Sequence, residues 1–383
     1  MKIAFLLDKF PQNGGVEAVT ILLVNRLVDH GFEVDIWAKM GDKNGILLSL
    51  SPKVKFMPIP AHNFCADFFA ILIDTEKIDI IVNQGAYPST NKILAKLYTR
   101  KYIPIVSVLH NEPTYLLKDA LASSKEGGIR GQIKSLFPYA YKNYICRIIK
   151  KNFKRINSFS ETIVLLSPRY MEEYYNSFPD TQWGKLQSIP NPIIFGPLDN
   201  VPKEKIVLYV GRLAERHKKL TRLFDIWAKV SPNNPEWKLY IVGDGKDEEY
   251  YKSYSEKKNL KNVFFEGFQL NPVSYYKRAS ILVMTSEYEG FPLTMIEAMR
   301  YGCVPIVYNS FSASNDIIAN TENGYLVTAF NEDNYIDSLE KIMHNSDLLE
   351  SMSRNAYSSI QKYDIEIIIK KWIALFEDVQ AQS

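Results

Sequence analysis

The chain has 383 residues, 46% of them hydrophobic, and a formal net charge of +3, which is length for two domains and apolar material for two ordinary cores. No segment reaches the ~18–20 uninterrupted apolar residues of a membrane-spanning helix. Cys65, Cys146 and Cys303 are scattered and lack C-x-x-C spacing, which argues against a disulfide framework or zinc site and fits a reducing cytoplasm.

The opening MKIAFLLDKF has one Lys, a short apolar run, then Asp8; with no small-residue cleavage site it reads as a strand, not a signal peptide. A helix-like stretch from Val16 to Asp29 follows, then FEVDIWA. DIIVN, PIVSVL and TIVLLS continue the strand series. Residues 188–205, SIPNPIIFGPLDNVPKEK, hold Pro190, Pro192, Pro197, Pro202 and Gly196, a density that disfavours helix and sheet interiors and marks a linker. Beyond it IVLYVG, KLYIVG, VFFEG, SILVMT and VPIVY repeat the alternation of strands with helix-length stretches. The pattern predicts an α/β protein with two Rossmann-like, doubly wound parallel sheets facing a cleft. The expected domains are residues 1–192 and 193–364. A last helix, 365–383, apolar at Ile368, Trp372, Leu375 and Phe376, joins the first.

Ligands of such sheets sit beyond the carboxyl ends of the strands, so the residues just after strands matter most. After the first strand, Gly14-Gly15 opens a helix; it is either a turn or a loop whose backbone approaches a phosphate. LYVGRLAERHKKL (208–220) places Arg212 and Lys218 after a buried strand, where two cations suit a diphosphate better than a merely solvated turn. KLYIVGDG ends in Gly243 and Gly245, and VFFEGF in Gly267-Phe268, each a tight turn or a ligand edge, Phe268 being a platform for a base. VSVLHNEP places His110 after a first-domain strand; a lone His is more often structural, and Asn111 and Glu112 beside it are weaker candidates for an acceptor side.

SEYEGFPLTMIEAM (286–299) is the most informative string. Pro292 reads as the first residue of a helix. The free N–H groups near Leu293 and Thr294 would take an anion. Glu289, beside Gly290 and Phe291, and Glu297, one turn into the helix, would then accept hydroxyls on either side of it, as a nucleotide sugar requires. The plainer alternative makes Glu297 a surface residue and Glu289 a helix-start charge.

The string E-G-F-P-L-x-x-x-E-A-M, together with Gly14-Gly15, Gly211-Arg212-Leu213 and I-V-G-x-G at 241–245, resembles the retaining glycosyltransferases of family 4, which have the two-domain GT-B fold, over nearly the whole chain. The resemblance implies that Glu289 contacts the donor sugar, Glu297 the ribose, and Arg212, Lys218 and Gly15 the diphosphate, with His110 near the anomeric carbon. It also implies metal-independent transfer, since no Asp-x-Asp strand end is present. The spacing departs from the family habit of Arg, four residues, Lys-Gly: His217 falls in the Lys register and Lys219 replaces the Gly, so either His217 or Lys218 is the phosphate cation. Asn191 precedes Pro192 where relatives often read N-G.

Charge adds a membrane question. Residues 1–195 carry 24 Lys and Arg against 17 Asp and Glu, and the rest 22 against 26. Within the basic stretch 128–159, Ile145, Ile148, Ile149 and Phe153 form either an apolar stripe on a cationic helix that suits an anionic membrane surface, or a stripe that packs inward. Nucleic acid is a poorer use of this charge, because the second half is acidic and no recognition module is present. The expectation is therefore a cytoplasmic glycosyltransferase, peripheral on the inner membrane face, that moves a hexose or N-acetylhexosamine from a UDP-sugar to a lipid-linked glycan in surface polysaccharide assembly. The alternatives are a nucleotide-sugar epimerase on the same fold and a non-catalytic nucleotide-sugar binding protein. A dinucleotide dehydrogenase is remote, for want of a G-x-G-x-x-G after a strand.

Overall fold

The computed structural model describes residues 1–41, 47, 49–124, 138–198 and 201–382. They divide into two compact units, Met1–Pro192 with Tyr363–Ser383, and Ile193–Lys362. The first is built on seven strands: β1 (Lys2–Phe10), β2 (Glu33–Met40), β3 (Lys55–Pro58), β4 (Ile80–Gln84), β5 (Ile105–Leu109), β6 (Thr162–Leu165) and β7 (Leu186–Ser188). Their order is β3-β2-β1-β4-β5-β6-β7, and each neighbouring pair is parallel. β4, β5 and β6 are buried along their whole length, as strands covered by helices on both faces must be.

The second unit repeats the plan with β8 (Glu204–Val210), β9 (Lys238–Val242), β10 (Val263–Gly267), β11 (Ala279–Met284), β12 (Val304–Tyr308) and β13 (Tyr325–Val327), in the order β10-β9-β8-β11-β12-β13. Its core is dense in aromatics. Helix Leu220–Val230 sends Leu220, Leu223, Phe224, Trp227 and Val230 inward, the i, i+3, i+4, i+7 spacing of an amphipathic helix, to meet Trp237, Tyr251 and Tyr335.

In both sheets the strand order reverses once, between β1 and β4 and between β8 and β11. At such a switch point the connections run to opposite faces and leave a crevice at the carboxyl ends. Gly14 and Gly15 follow β1, Arg212 follows β8, and Glu289 follows β11.

A polar ladder lies inside the first unit. Asn83 Nδ2 donates to Asn91 Oδ1 (2.9 Å) and Ser107 Oγ (3.1 Å), and Asn91 Nδ2 donates to Asn152 Oδ1 (3.1 Å) and to the Ala86 carbonyl (2.6 Å). It fastens the turn after β4, where Gly85 and Ala86 hold φ of 89° and 42°. The C-terminal helix Ile365–Ala381 buries Ile368, Ile369, Trp372, Leu375 and Phe376. It lies along helix Gly15–Asp29, joined by an Arg26–Glu366 ion pair and a Phe32–Phe376 ring contact.

Two expectations are corrected. Pro292 is not the first helical residue: its ψ of 98° is extended, and it caps the helix Leu293–Arg300 from outside, its carbonyl accepting from the amides of Met295 and Ile296. Proline's missing N–H is harmless at a cap as at the first turn, so the sequence signal is the same for both. The apolar stripe of the basic stretch is also not wholly exposed or wholly buried, and most of it packs inward. In helix Pro138–Phe159, Ile149 and Phe153 are buried, Ile145 is half-buried and Ile148 is exposed. Residues 128–137 of that stretch lie outside the described residues.

Candidate active site

The second unit gathers its candidates at the β8/β11 switch point. Arg212 is exposed, its carbonyl accepts from the buried Tyr209 hydroxyl at 3.0 Å, and its guanidinium has no ion pair among the described residues. The single helical turn Glu215–Lys218 follows. It is fastened to the loop after β11: the Glu287 amide donates to the His217 carbonyl (2.8 Å), and the Thr285 hydroxyl donates to the carbonyls of Lys218 (3.2 Å) and Lys219 (3.1 Å). This fastening brings Lys218 Nζ to 2.5 Å from Glu289 Oε1, with the two side chains 22% and 12% exposed. A cation and an acceptor stand side by side, the arrangement that a phosphate next to a sugar hydroxyl needs.

Lys219 holds φ 51° and ψ 48°, the left-handed conformation that glycine adopts without strain. Lys218-Lys219 thus supplies the backbone of a Lys-Gly pair, with Lys218 as the cation that reaches Glu289. His217 instead sets its ring edge-on to Tyr288, centroids 5.0 Å apart.

Helix Leu293–Arg300 begins beside this pair in sequence. The amides of Leu293 and Thr294 donate to no described acceptor, as the first turn of a helix leaves them. Ala298 and Met299 are fully buried. Glu297 Oε2 accepts from the Tyr276 hydroxyl at 2.9 Å. Burial raises the Glu297 carboxyl above its usual value, and this hydrogen bond pulls it part of the way back. Tyr276 carried no signal in the sequence: it sits in the string SYYKR, 21 positions before Glu297, and the strand β11 folds the two together.

The glycines have packing reasons. A Cβ on Gly243, whose φ is 140°, would lie 2.0 Å from the Gly211 carbonyl oxygen, and one on Gly245 would lie 2.2 Å from that of Leu213. Phe268 is 46% exposed at the end of β10, whereas Gly290 and Phe291 are buried.

In the first unit, His110 is buried, its Nε2 has no hydrogen-bond partner, and burial lowers its pKa to about 4, so the imidazole is neutral at pH 7. It faces a narrow cavity lined also by Gln84, Val108, Asn191 and Trp372. Gln84, at the end of β4, is buried with both amide atoms unpartnered; as one polar residue closing an apolar run it gave no recognisable motif. Glu112 is buried and paired to Lys118 at 2.7 Å, and Asn111 is exposed. Gly14 caps helix Gly15–Asp29 in an extended conformation, and Gly15 is exposed. Among the described residues no three His, Cys, Asp or Glu side chains converge as metal ligands, and no helix is long and apolar enough to cross a membrane.

Two Rossmann-like parallel-sheet units are the architecture of the GT-B fold, and the relatives of the chain are glycosyltransferases. Residues 191–359 match the family of glycosyl transferases group 1, so the second unit is a domain of that kind. The chain is 25% identical over 377 residues to an uncharacterized glycosyltransferase of Haemophilus influenzae, covering 97% of this chain and 98% of that one. It is 35% identical over 147 residues to the lipopolysaccharide 1,6-galactosyltransferase of Salmonella typhimurium, covering 37% of this chain and only 40% of that enzyme. The fold resembles that of the Anabaena protein HepE in complex with UDP-glucose, with a TM-score of 0.76, 16% identity, and coverage of 99% of this chain and all of that one.

Proposed function

We propose that the chain is a family 4 enzyme that transfers a hexose or N-acetylhexosamine, with retention of configuration, from a UDP-sugar to a lipid-linked glycan in the assembly of a bacterial surface polysaccharide. The observation that carries this reading is the Lys218–Glu289 pair at the β8/β11 switch point, with Arg212 before it and the helix start at Leu293 after it. In this reading Arg212, Lys218 and the amides of Leu293 and Thr294 take the diphosphate. Glu289 accepts from the donor sugar, Glu297 from the ribose, and Phe268 borders the base; Gly243, Gly290 and Phe291 shape the wall. In the first unit, taken by itself, Gly14 and Gly15 offer helix-start amides to an anion, His110 a neutral imidazole to a sugar, and Asn111 and Glu112 polar groups to an acceptor. Catalysis is fixed charge aimed at the departing diphosphate, without a metal.

The Salmonella relative supports a surface-polysaccharide role, and UDP-glucose in HepE supports the donor class. A peripheral membrane position on the cytoplasmic face draws on helix Pro138–Phe159. It exposes Lys142, Arg147, Lys150, Lys151 and Lys154 together with Tyr139, Tyr144 and Ile148, and contains no acidic residue. Basic charge with interspersed aromatics suits anionic lipid.

The test is donor discrimination. The purified protein is incubated with UDP-, GDP- and ADP-sugars in EDTA, and thermal stabilisation and slow nucleotide release are followed. One UDP-sugar that both stabilises and is hydrolysed supports the reading. No stabilisation by any donor, with E289A unchanged from wild type, sinks it.

A further inference from the structure

We propose that Tyr276 is a positioning residue for nucleotide recognition, holding Glu297 so that one carboxylate oxygen faces the ribose hydroxyls; this rests on the donor reading above. Tyr276 lies on the short helix Val273–Arg278 and is 1% exposed. Its hydroxyl donates to Glu297 Oε2 at 2.9 Å. Glu297 Oε1 accepts from no described residue.

A carboxylate on a three-bond side chain swings between rotamers unless something holds it, and one directional donor on one oxygen settles both its rotamer and its plane. Tyr276 is itself held from three sides. Lys203 Nζ (2.8 Å) and Cys303 Sγ (3.1 Å) both donate to its carbonyl, and its ring stacks on Tyr301 at 6.1 Å with planes 15° apart. The bond also keeps a fixed direction. Burial and the nearby Glu297 charge push the phenol well above its usual pKa, so it remains a donor throughout the physiological range.

A tyrosine that only packs would need its ring, not its hydroxyl. Y276F keeps the ring and deletes the donor. The probes are UDP, 2′-deoxy-UDP and 3′-deoxy-UDP, bound to wild type and Y276F and followed by calorimetry from pH 5 to 8. Wild type is expected to prefer UDP over at least one deoxy analogue by about tenfold, the effect of one hydrogen bond to a charged group. In Y276F that preference falls to within about threefold, and the acid limb of UDP binding moves to higher pH, because Glu297 has lost the bond that pulls its pKa down. If Y276F keeps the full preference and the same acid limb, Tyr276 is only a packing residue and the proposal falls. If wild type binds none of UDP, GDP and ADP, the donor reading itself fails and takes the proposal with it.

Discussion

Gly243 separates a packing role from a ligand role. In G243A the new Cβ would stand 2.0 Å from the Gly211 carbonyl oxygen and 2.9 Å from its carbon, on a backbone with φ of 140°. That conformation alone costs a non-glycine residue about 1–3 kcal/mol. Relieving the overlap moves the ends of β8 and β9 apart. The movement strains the bonds from the Gly211 amide to the Val242 carbonyl (3.0 Å) and from the Leu213 amide to the Asp244 carbonyl (2.7 Å), and the overpacking adds about 1–3 kcal/mol. With ~1 kcal/mol for each weakened hydrogen bond, the second unit should lose about 4 kcal/mol or more. At ~2–4 °C per kcal/mol for a domain of this size, its transition falls by about 8–16 °C. Differential scanning calorimetry is the assay, since two units need not unfold together. A G243A protein that unfolds within ~1 kcal/mol of wild type would refute the packing argument. If that stable protein also failed to bind nucleotide, Gly243 would be a ligand-contact glycine.

The other predictions concern charge, strain and buried polar groups. K218M should lower kcat/KM by about a hundredfold, the effect of deleting one preorganised charge-stabilising group, whereas H217N should lose less than about tenfold; steady-state kinetics with the identified donor decides between them. K219G removes a left-handed lysine, worth ~1–2 kcal/mol, at the cost of ~0.5–1 kcal/mol in backbone entropy and a weak Lys219–Glu215 pair at 3.6 Å; urea unfolding should show a gain of about 0.5 kcal/mol, and a clear loss would contradict the strain. N91A strips a partner from Asn83, Asn152 and the Ala86 carbonyl at once, so the first unit should lose about 3 kcal/mol in the same assay. His110 has a folded pKa of about 4 against 6.5 for the free side chain. The unfolded chain therefore takes up its proton first, and the stability held by the neutral form is present above pH 6.5 and lost as pH falls toward 4, on the order of 3 kcal/mol in total. Wild type and H110F should diverge in stability across that window and run parallel above it.

The fold was legible because most strands announce themselves as a short apolar run closed by a polar residue or glycine; β3, β7 and β13 did not, being edge strands of three or four residues with too few side chains to form a run. Glu289 and Glu297 were readable as a spaced pair around a helix start. The left-handed backbone at Lys219 was not, since a lysine does not advertise that conformation. Gly243 and Gly245 were readable as a tight turn or a ligand edge, and what the sequence did not show is that backbone oxygens of Gly211 and Leu213 occupy the space where their side chains would stand. Gln84 and Tyr276 were invisible because their surroundings are assembled from distant segments, and neither belongs to a spaced pattern.

The first unit is discontinuous: the chain leaves it at Pro192 and returns at Tyr363. On the ribosome the whole of Ile193–Lys362 has been made before the helix that covers helix Gly15–Asp29 can emerge. The second unit has every residue it needs while the first still lacks Ile368, Trp372 and Phe376. Domains generally complete folding in order of synthesis; here the order is inverted, and the nascent first unit must wait with an apolar helix face uncovered until Ile365–Ala381 is translated.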